Sequence, residues 1–568
     1  MEDPTLTAAA VSVGELARRF WRLELAHDPL SASLLGVHDH DDRLGSVSAA
    51  TEAAHRDRLV ELRAELHQAR PESPPTDPTV VTAALLDHEL ACSITALGQR
   101  RTELAVDQMT GPHAELLMSA AQLTYPDPVH AEAALRRHEQ VPTLLDEAAE
   151  RFREGLGAGR RPAATVLQRS LHALDGYLAS DPADDPFLAA GLPADWTGAD
   201  QWRTAALGQV RDVIRPAIAR YTAVLRDELA PVARDDEHAG WCWLPDGDSL
   251  YHATIAAHTS ATADAQDLHE LGRSICEHQL PEEFAALGTE VFGTSDLVAI
   301  FDRLRSDPAL RHRDGQEILR TARQAVRRAT DLARSAFGRF PATECVVEPI
   351  PDFLAADAPY AYYYPPAIDG SRPGTYFINT SDPAGSSRTE AESIAFHEAI
   401  PGHHLQLGVA QELDELTEFQ RHRGSTAYIE GWALYAERLA DELGCYSGPL
   451  DRLGMLTADS WRSARLVVDT GLHAFGWSRA RAVAYFEDHT PVPTEQIAVE
   501  VDRYLAMPGQ ALAYKVGQLA IMQQRDLARE RLGARFSLSD FHDVVLGSGA
   551  VTLPVLAHLV DAWTRSAA

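Results

Sequence analysis

The chain has 568 residues, 45% hydrophobic and 24% charged, with a formal net charge of −32. That length exceeds one compact core and predicts two or more lobes that bury their apolar residues without disulfides, and the composition is that of a globular protein. The charge repels phosphate backbones and no Lys/Arg run with interleaved aromatics offsets it, which excludes nucleic acid as an expected partner; the five cysteines stand singly, with no C-x-x-C pair, which excludes a disulfide framework or a cysteine zinc knuckle.

From the N-terminus, Met1-Glu2-Asp3-Pro4 precedes a first basic pair at Arg18-Arg19, so no signal peptide is read. No run approaches the roughly 20 apolar residues of a membrane span. The expected location is cytoplasmic, with no membrane partner. Apolar residues at helical spacing, as in Val13-Leu16-Ala17-Phe20 and Leu59-Leu62-Leu66, predict helices over the first 180 residues, broken by loops such as Pro71 to Pro78. A breaker-rich stretch over 180–200 leads to a helical pattern over 202–229. A soft boundary near 235 divides a helical N-terminal lobe, 1–235, from a catalytic lobe, 236–568. Residues 241–251 read as a turn and short extended segment, and helices resume over about 263–337.

The segment 349–380 changes character, with Tyr360, Tyr362, Tyr363 and Tyr364 ahead of Pro365-Pro366 and the β-prone run Thr375-Tyr376-Phe377-Ile378; turns and at least one strand belong here. Ser387-Arg-Thr-Glu390 is a Ser-x-x-Glu helix start leading into Ala391 to Phe396. The expected fold is therefore mainly α, two helical lobes around a cleft with a short strand beside this helix.

The helix runs into His397-Glu398-Ala-Ile-Pro401-Gly402-His403-His404. In the usual zinc hydrolase motif two histidines at i and i+4 share a helical face and the glutamate after the first polarises a water. Here Pro401 holds the i+4 place. A regular helix would separate His397 from His403 by about 9 Å along its axis, too far for one zinc ion. A local bulge is required, and Pro401-Gly402 supplies it, since proline breaks the helical ladder and glycine accepts unusual dihedrals. His403 is the expected second ligand and His404 the weaker candidate; the bland alternative is histidines that fill a kinked helix. The third candidate is Glu430, in a helical run where Glu437 shares its face and Gly431 permits close helix approach. Glu437 reads as a carboxylate that orients a histidine, or equally as a solvated surface charge.

Lys515 is the one lysine among 51 basic residues. An ammonium and a guanidinium differ in size and geometry, so a site can require one of them.

These runs, with Asp369-Gly-Ser-Arg-Pro-Gly-Thr before them and Glu430-Gly-Trp-Ala-Leu-Tyr-Ala-Glu, Asp469-Thr-Gly-Leu-His473, Pro508-Gly-Gln-Ala-Leu-Ala-Tyr-Lys-Val-Gly517 and Phe541-His-Asp543 after them, resemble the bacterial family called domain of unknown function 885. The likeness is close from about Trp241 onward and general in character before it, and it implies a zinc peptidase. A more distant resemblance is to the gluzincins, in which two histidines and a glutamate hold zinc and the residue after the first histidine is the base. It implies metal ligands His397, His403 and Glu430, a Zn2+ cofactor, and an edge strand at Thr375 to Ile378 that aligns substrate beside the zinc helix.

The function expected is a zinc-dependent hydrolase cutting peptide or peptide-like amide bonds. Zinc activates a water, Glu398 takes its proton and passes it to the leaving amine, and an oxyanion donor completes the site. Tyr514 and His473 are candidates for that donor, each weighed against an ordinary buried residue. Lys515 is a candidate for binding a substrate carboxylate or supporting the oxyanion, as a lysine does in angiotensin-converting-enzyme-like peptidases. His542 reads as a helix-entry residue. The alternatives are a zinc-dependent tailoring enzyme of small-molecule biosynthesis using the same site, a serine hydrolase at Gly424-Ser425-Thr426, which lacks the Gly-x-Ser-x-Gly elbow, and a scaffold with a structural zinc, which would not need Glu398.

Overall fold

The first helix, α1 (Val13–His27), starts where Ser12 accepts the Glu15 N–H and turns Val13, Leu16, Ala17 and Phe20 inward. It packs against α2 (Ala49–Ala69) and α3 (Pro78–Gly98). The computed structural model describes residues 11–567 except 70–72, 75, 262, 351–354, 356–358 and 371; Met1 to Pro4, Pro71 in the first expected loop and Ser371 in the Asp369 to Thr375 run lie outside the described residues. Helices then follow one another to residue 333, ending with α4 (Gly315–Ala333).

After α4 comes the small sheet of β1 (Val346–Pro349), β2 (Ala361–Tyr364) and β3 (Thr375–Ile378), in the order β1-β3-β2. β3 runs parallel to β1 and antiparallel to β2. The helices that build the candidate site follow: α5 (Ala391–Glu398), α6 (His403–Gln411), α7 (Thr426–Glu442), α8 (Pro449–His473) and α9 (Ala513–Leu532). α8 is the spine, with nearly every residue from 453 to 473 buried. The fold is mainly α, as expected, and the five cysteines are free thiols.

Four expectations change. Residues 241–251 are not extended: a short 3-10 turn over Trp241–Trp243 leads straight into the helix Gly247–Thr259. The boundary near 235 does not divide the core. One apolar cluster joins α1, α2 and α3 to α4, the sheet and α5 to α7, while a second joins residues 106–229 to α8 and residues 482–511. Both draw on chain from either side of 235, because the N-terminal helices bury their apolar faces against the C-terminal half. The strand Thr375 to Ile378 is central, not an edge, so both its hydrogen-bonding edges are occupied and it cannot add a substrate strand. Among the described residues one helix, α3, is long and apolar enough to cross a membrane, at mean hydropathy 1.4, where no such run was expected. α3 nevertheless buries Val81, Leu85, Leu86 and Leu90 and carries Asp87, which accepts hydrogen bonds from Arg63 at 2.7 Å and His67 at 2.8 Å.

Candidate metal centre

α5 ends at Glu398 and α6 begins at His403, so the expected bulge is a full helix break. Gly402 is what allows it: a Cβ there would sit 1.9 Å from the His397 carbonyl oxygen and 2.4 Å from that of Phe396. The break is held from α7, where the Trp432 indole N–H donates to the Pro401 carbonyl at 2.9 Å. Gln406 N–H closes the first turn of α6 on Gly402 O. His403 is thereby returned beside His397, with ring centroids 4.9 Å apart and planes at 87°.

Glu430 arrives on α7, which crosses α9 where two glycines meet. A Cβ on Gly431 would lie 2.4 Å from Gly517 Cα, and one on Gly517 would lie 1.7 Å from the Ala427 carbonyl oxygen. The crossing brings Glu430 of α7 and Tyr514 of α9 to the same place. One Glu430 oxygen lies 3.6 Å from His397 Nε2 and 3.5 Å from His403 Nε2, and the three ligand atoms all fall within 4.8 Å of one another. Those spacings are long for hydrogen bonds. They match the roughly 3.4 Å separating atoms bonded at about 2.0–2.1 Å to a tetrahedral ion. Among the described residues this is the group of His, Cys, Asp and Glu whose geometry could hold a metal.

Glu437, seven residues after Glu430, is buried at 1% exposure and not a solvated charge. Its Oε1 lies 2.8 Å from His397 Nδ1, and its Oε2 accepts from Ser393 Oγ at 2.5 Å. A carboxylate only accepts, so His397 Nδ1 carries the hydrogen and Nε2 is turned toward Glu430 and His403. Burial opposes a charged His397, but the Glu430 and Glu437 carboxylates outweigh it and lift its pKa to about 9. Burial likewise opposes ionisation of Glu430, and its two histidines reverse that, holding the carboxyl well below its ordinary value. Glu398 goes the other way: desolvation raises its pKa, reinforced by Glu430 and countered by His397 and His403. A carboxylate pushed upward is a better proton acceptor than one in water.

His404 points elsewhere. Its Nε2 donates to the Thr343 carbonyl at 2.9 Å, and its Nδ1 lies 2.9 Å from the Tyr363 hydroxyl of β2, so neither nitrogen is spare. The structure therefore gathers His397, Glu398, His403 and Glu430, and brings Tyr514 to them with its ring near parallel to that of His397, at 6.3 Å and 19°. It does not bring His473 or Lys515. His473 has Nε2 donating to Tyr504 O at 3.0 Å and Nδ1 accepting from Trp241 N–H at 3.1 Å, which corrects its reading as an oxyanion donor. Lys515 is 5% exposed and donates to Asp459 Oδ1 at 2.5 Å and Gln518 Oε1 at 2.7 Å. Its ammonium is consumed by a buried ion pair, which corrects its reading as a substrate-carboxylate anchor. His542, between Tyr435 Oη and the Ala336 carbonyl at 2.8 Å each, is a saturated core residue.

The model of the family described as bacterial protein of unknown function (DUF885) matches residues 29–560. The chain belongs to this family. No curated protein matches it. A solved structure from Colwellia psychrerythraea, described as a "putative lipoprotein", is 25% identical, with a TM-score of 0.91 over 98% of this chain and 100% of that one. A second, from Shewanella oneidensis and described as a "putative lipoprotein of unknown function", is 18% identical, with a TM-score of 0.75 over 97% and 100%. A "putative oligoendopeptidase F" from Bacillus anthracis overlaps at a TM-score of only 0.32 and 11% identity, over 90% and 96%, a likeness that decides nothing about this chain.

Two residues at the site, Ser393 and Arg465, had no role assigned from the sequence. Ser393 lies one turn before His397 on the same face of α5, a legible signal. Arg465 of α8, with its guanidinium 4.4 Å from the Tyr514 ring centroid, has no local signature.

Proposed function

We propose that the chain is a zinc-dependent hydrolase of peptide or peptide-like amide bonds. The observation that carries this is the convergence of His397 Nε2, His403 Nε2 and a Glu430 oxygen within 4.8 Å, next to Glu398. Two histidines and one carboxylate are the donor set of catalytic zinc sites, which keep a further position open, whereas structural sites are closed four-ligand cages. Zinc held there supplies Lewis acidity, acidifying a water and polarising a substrate carbonyl.

The chain's own residues do the rest. Glu437 fixes the tautomer and orientation of His397. Glu398, lifted in pKa by burial, accepts the proton of the attacking water and delivers it to the leaving amine nitrogen. Tyr514, whose ring lies near parallel to that of His397, donates a hydrogen bond to the oxygen on which charge develops. Substrate alignment falls to the outer strands β1 or β2, since β3 is paired on both sides. The cytoplasmic location read from the sequence has no support from the two solved relatives, whose description as lipoproteins points away from it.

The test is incubation of zinc-loaded protein with a mixed peptide library, products being read by mass spectrometry. Cleavage that disappears in Glu398→Gln, with zinc retained, is the expected result. Zinc bound in wild type with no amide cleaved would leave the tailoring-enzyme alternative. Full biological activity of Glu398→Gln would favour a scaffold.

A further inference from the structure

Away from the metal centre, a cavity of about 360 Å3 lies between α1, the loop that follows β2, the far end of α6 and the short helix Glu418–His422. That volume falls within the roughly 300–1,000 Å3 of small-molecule sites, which combine an apolar lining with a few convergent polar groups. Gln411, the last residue of α6, lines it, about 12 Å along the helix from His403 at 1.5 Å per residue. Gln411 Nε2 also donates to the Pro366 carbonyl at 3.2 Å, which ties the loop bearing Ala367 and Ile368 to this end of α6.

The apolar wall is built from Trp21 and Leu25, one turn apart on α1, with Val37 and Ile368. Trp21 is buried, and its ring lies near parallel to the His422 imidazole, at 6.1 Å and 21°. Ile368 is 45% exposed, a large aliphatic side chain at the rim. The polar groups of the lining are short of partners. His422 Nδ1 and Arg421 Nε are buried with no hydrogen-bond partner among the described residues. The Arg421 guanidinium has one ion pair there, at 3.5 Å to Asp414, whose side chain is 97% exposed, and pairs of that kind contribute little. Asp39 and Glu418 are exposed, and neither side chain has a hydrogen bond or salt bridge among the described residues.

Two acids, Asp39 and Glu418, and two arginines, Arg22 and Arg421, therefore line the cavity, so its ionised side chains sum to zero while presenting both signs. Arg22 already pairs with Glu15 at 3.1 Å, which leaves Arg421 as the available cation. An anion would be repelled by Asp39 and Glu418, a cation by Arg421, and a purely apolar chain would desolvate all three; a ligand with both charges and an apolar body meets each of them. We propose that this cavity is a second binding site, for a zwitterion with an apolar side chain, a free amino acid or a short peptide. Its carboxylate pairs with Arg421, its amine with Asp39 or Glu418, and its side chain packs on Trp21, Leu25 and Ile368. A peptide hydrolase would meet such molecules as substrates and products, but the site does not depend on that reading.

The test is calorimetric titration of zinc-loaded Glu398→Gln, which lacks the proposed base, with L-phenylalanine and with L-leucyl-L-phenylalanine. At least one should bind with a stoichiometry of about one per chain and a Kd below about 1 mM, and the tighter of the two tells amino acid from peptide. 3-Phenylpropionate, which lacks the amine, and phenethylamine, which lacks the carboxylate, should each bind about tenfold to a hundredfold more weakly than L-phenylalanine, the range for one charge-assisted contact. Ile368→Asp and Arg421→Glu lie outside the buried core, so the fold should persist, and each should weaken the zwitterions by about tenfold or more. Chelating the zinc should leave them bound. Saturation by neither zwitterion, phenethylamine or 3-phenylpropionate binding as well as L-phenylalanine, or affinity unchanged in Ile368→Asp and Arg421→Glu would overturn the proposal. Binding lost with the zinc would put the ligand at the metal centre and overturn it too. The expected binding in a protein whose wild type cleaves no peptide would defeat only the hydrolase reading.

Discussion

His397 and His473 are both buried imidazoles in the last turn of a helix, α5 and α8, and both lie in runs by which the chain resembles its family, yet they end in opposite chemical states. At the end of α5 one nitrogen is tied to the Glu437 carboxylate and the other faces His403 and Glu430. At the end of α8 both nitrogens are spent on backbone groups of Trp241 and Tyr504. Burial lowers the basicity of each, but carboxylates reverse that at His397, to about 9, and nothing comparable does so at His473, which falls to about 3. What makes a buried histidine chemically available is a spare lone pair with convergent neighbours, and a motif does not disclose that.

The widest gap between the two regions should appear in metal content. His397→Ala, His403→Ala and Glu430→Ala each leave two of three ligands and should lose zinc, whereas His404→Ala and His473→Gln should keep about one ion per chain by elemental analysis. Zinc lost with His404→Ala and kept with His403→Ala would reverse the assignment made from the Tyr363 and Thr343 contacts. Lys515 tests the same contrast on α9, where it neighbours Tyr514 but faces Asp459. Lys515→Met leaves the Asp459 carboxylate with Arg438 and the Ser463 hydroxyl, and breaking a buried pair costs at most about 3–5 kcal/mol. The expected outcome is a fall in chemical-denaturation stability of that order, with residual activity equal on free and C-terminally amidated peptides. Selective loss on free carboxylates would restore the anchor role. A smaller effect is expected from Glu437→Gln, which can still hydrogen-bond His397 but supplies no charge: zinc affinity should weaken about ten- to a hundredfold, read by chelator competition.

Much of the site was legible because it is local. The His397-Glu398 pair, the two-residue insertion and the glycine that relieves it stand within eight residues, and spacing alone demanded the break that separates α5 from α6. The choice between His403 and His404 was not local, since it depends on a carbonyl at Thr343 and a hydroxyl at Tyr363. Lys515 misled for the same reason: its partner Asp459 lies 56 residues away, with no pattern linking them. The mainly helical class followed from periodicity, but the central place of β3 is a matter of strand order, which a four-residue run cannot encode. The boundary near 235 marked a run of loop residues, and a loop is not a division of core when the helices before it pack against those far beyond it.

The last test of the comparison uses acid. His473 is neutral in the folded protein and saturated with hydrogen bonds, and its pKa of about 3 lies below the ordinary value near 6.5 because burial penalises the charged ring. Unfolding lets it bind a proton at any pH between those values, so the unfolded state gains protons relative to the folded one there. The sign follows: the contribution of His473 to stability is fully present above about pH 6.5 and is lost progressively as pH falls through that window toward 3. Removing the titrating group, as in His473→Gln, should flatten the pH dependence by up to one proton, or about 1.4 kcal/mol per pH unit. Urea unfolding of wild type and variant between pH 7 and 4 measures this. The variant should be less stable at pH 7, because a buried amide replaces a fitted imidazole, yet lose less on acidification, and its kcat at pH 7 should stay close to that of wild type. If instead the two slopes coincide and kcat collapses with the fold intact, the likeness between His397 and His473 runs deeper than their hydrogen bonds allow, and His473 belongs to the chemistry after all.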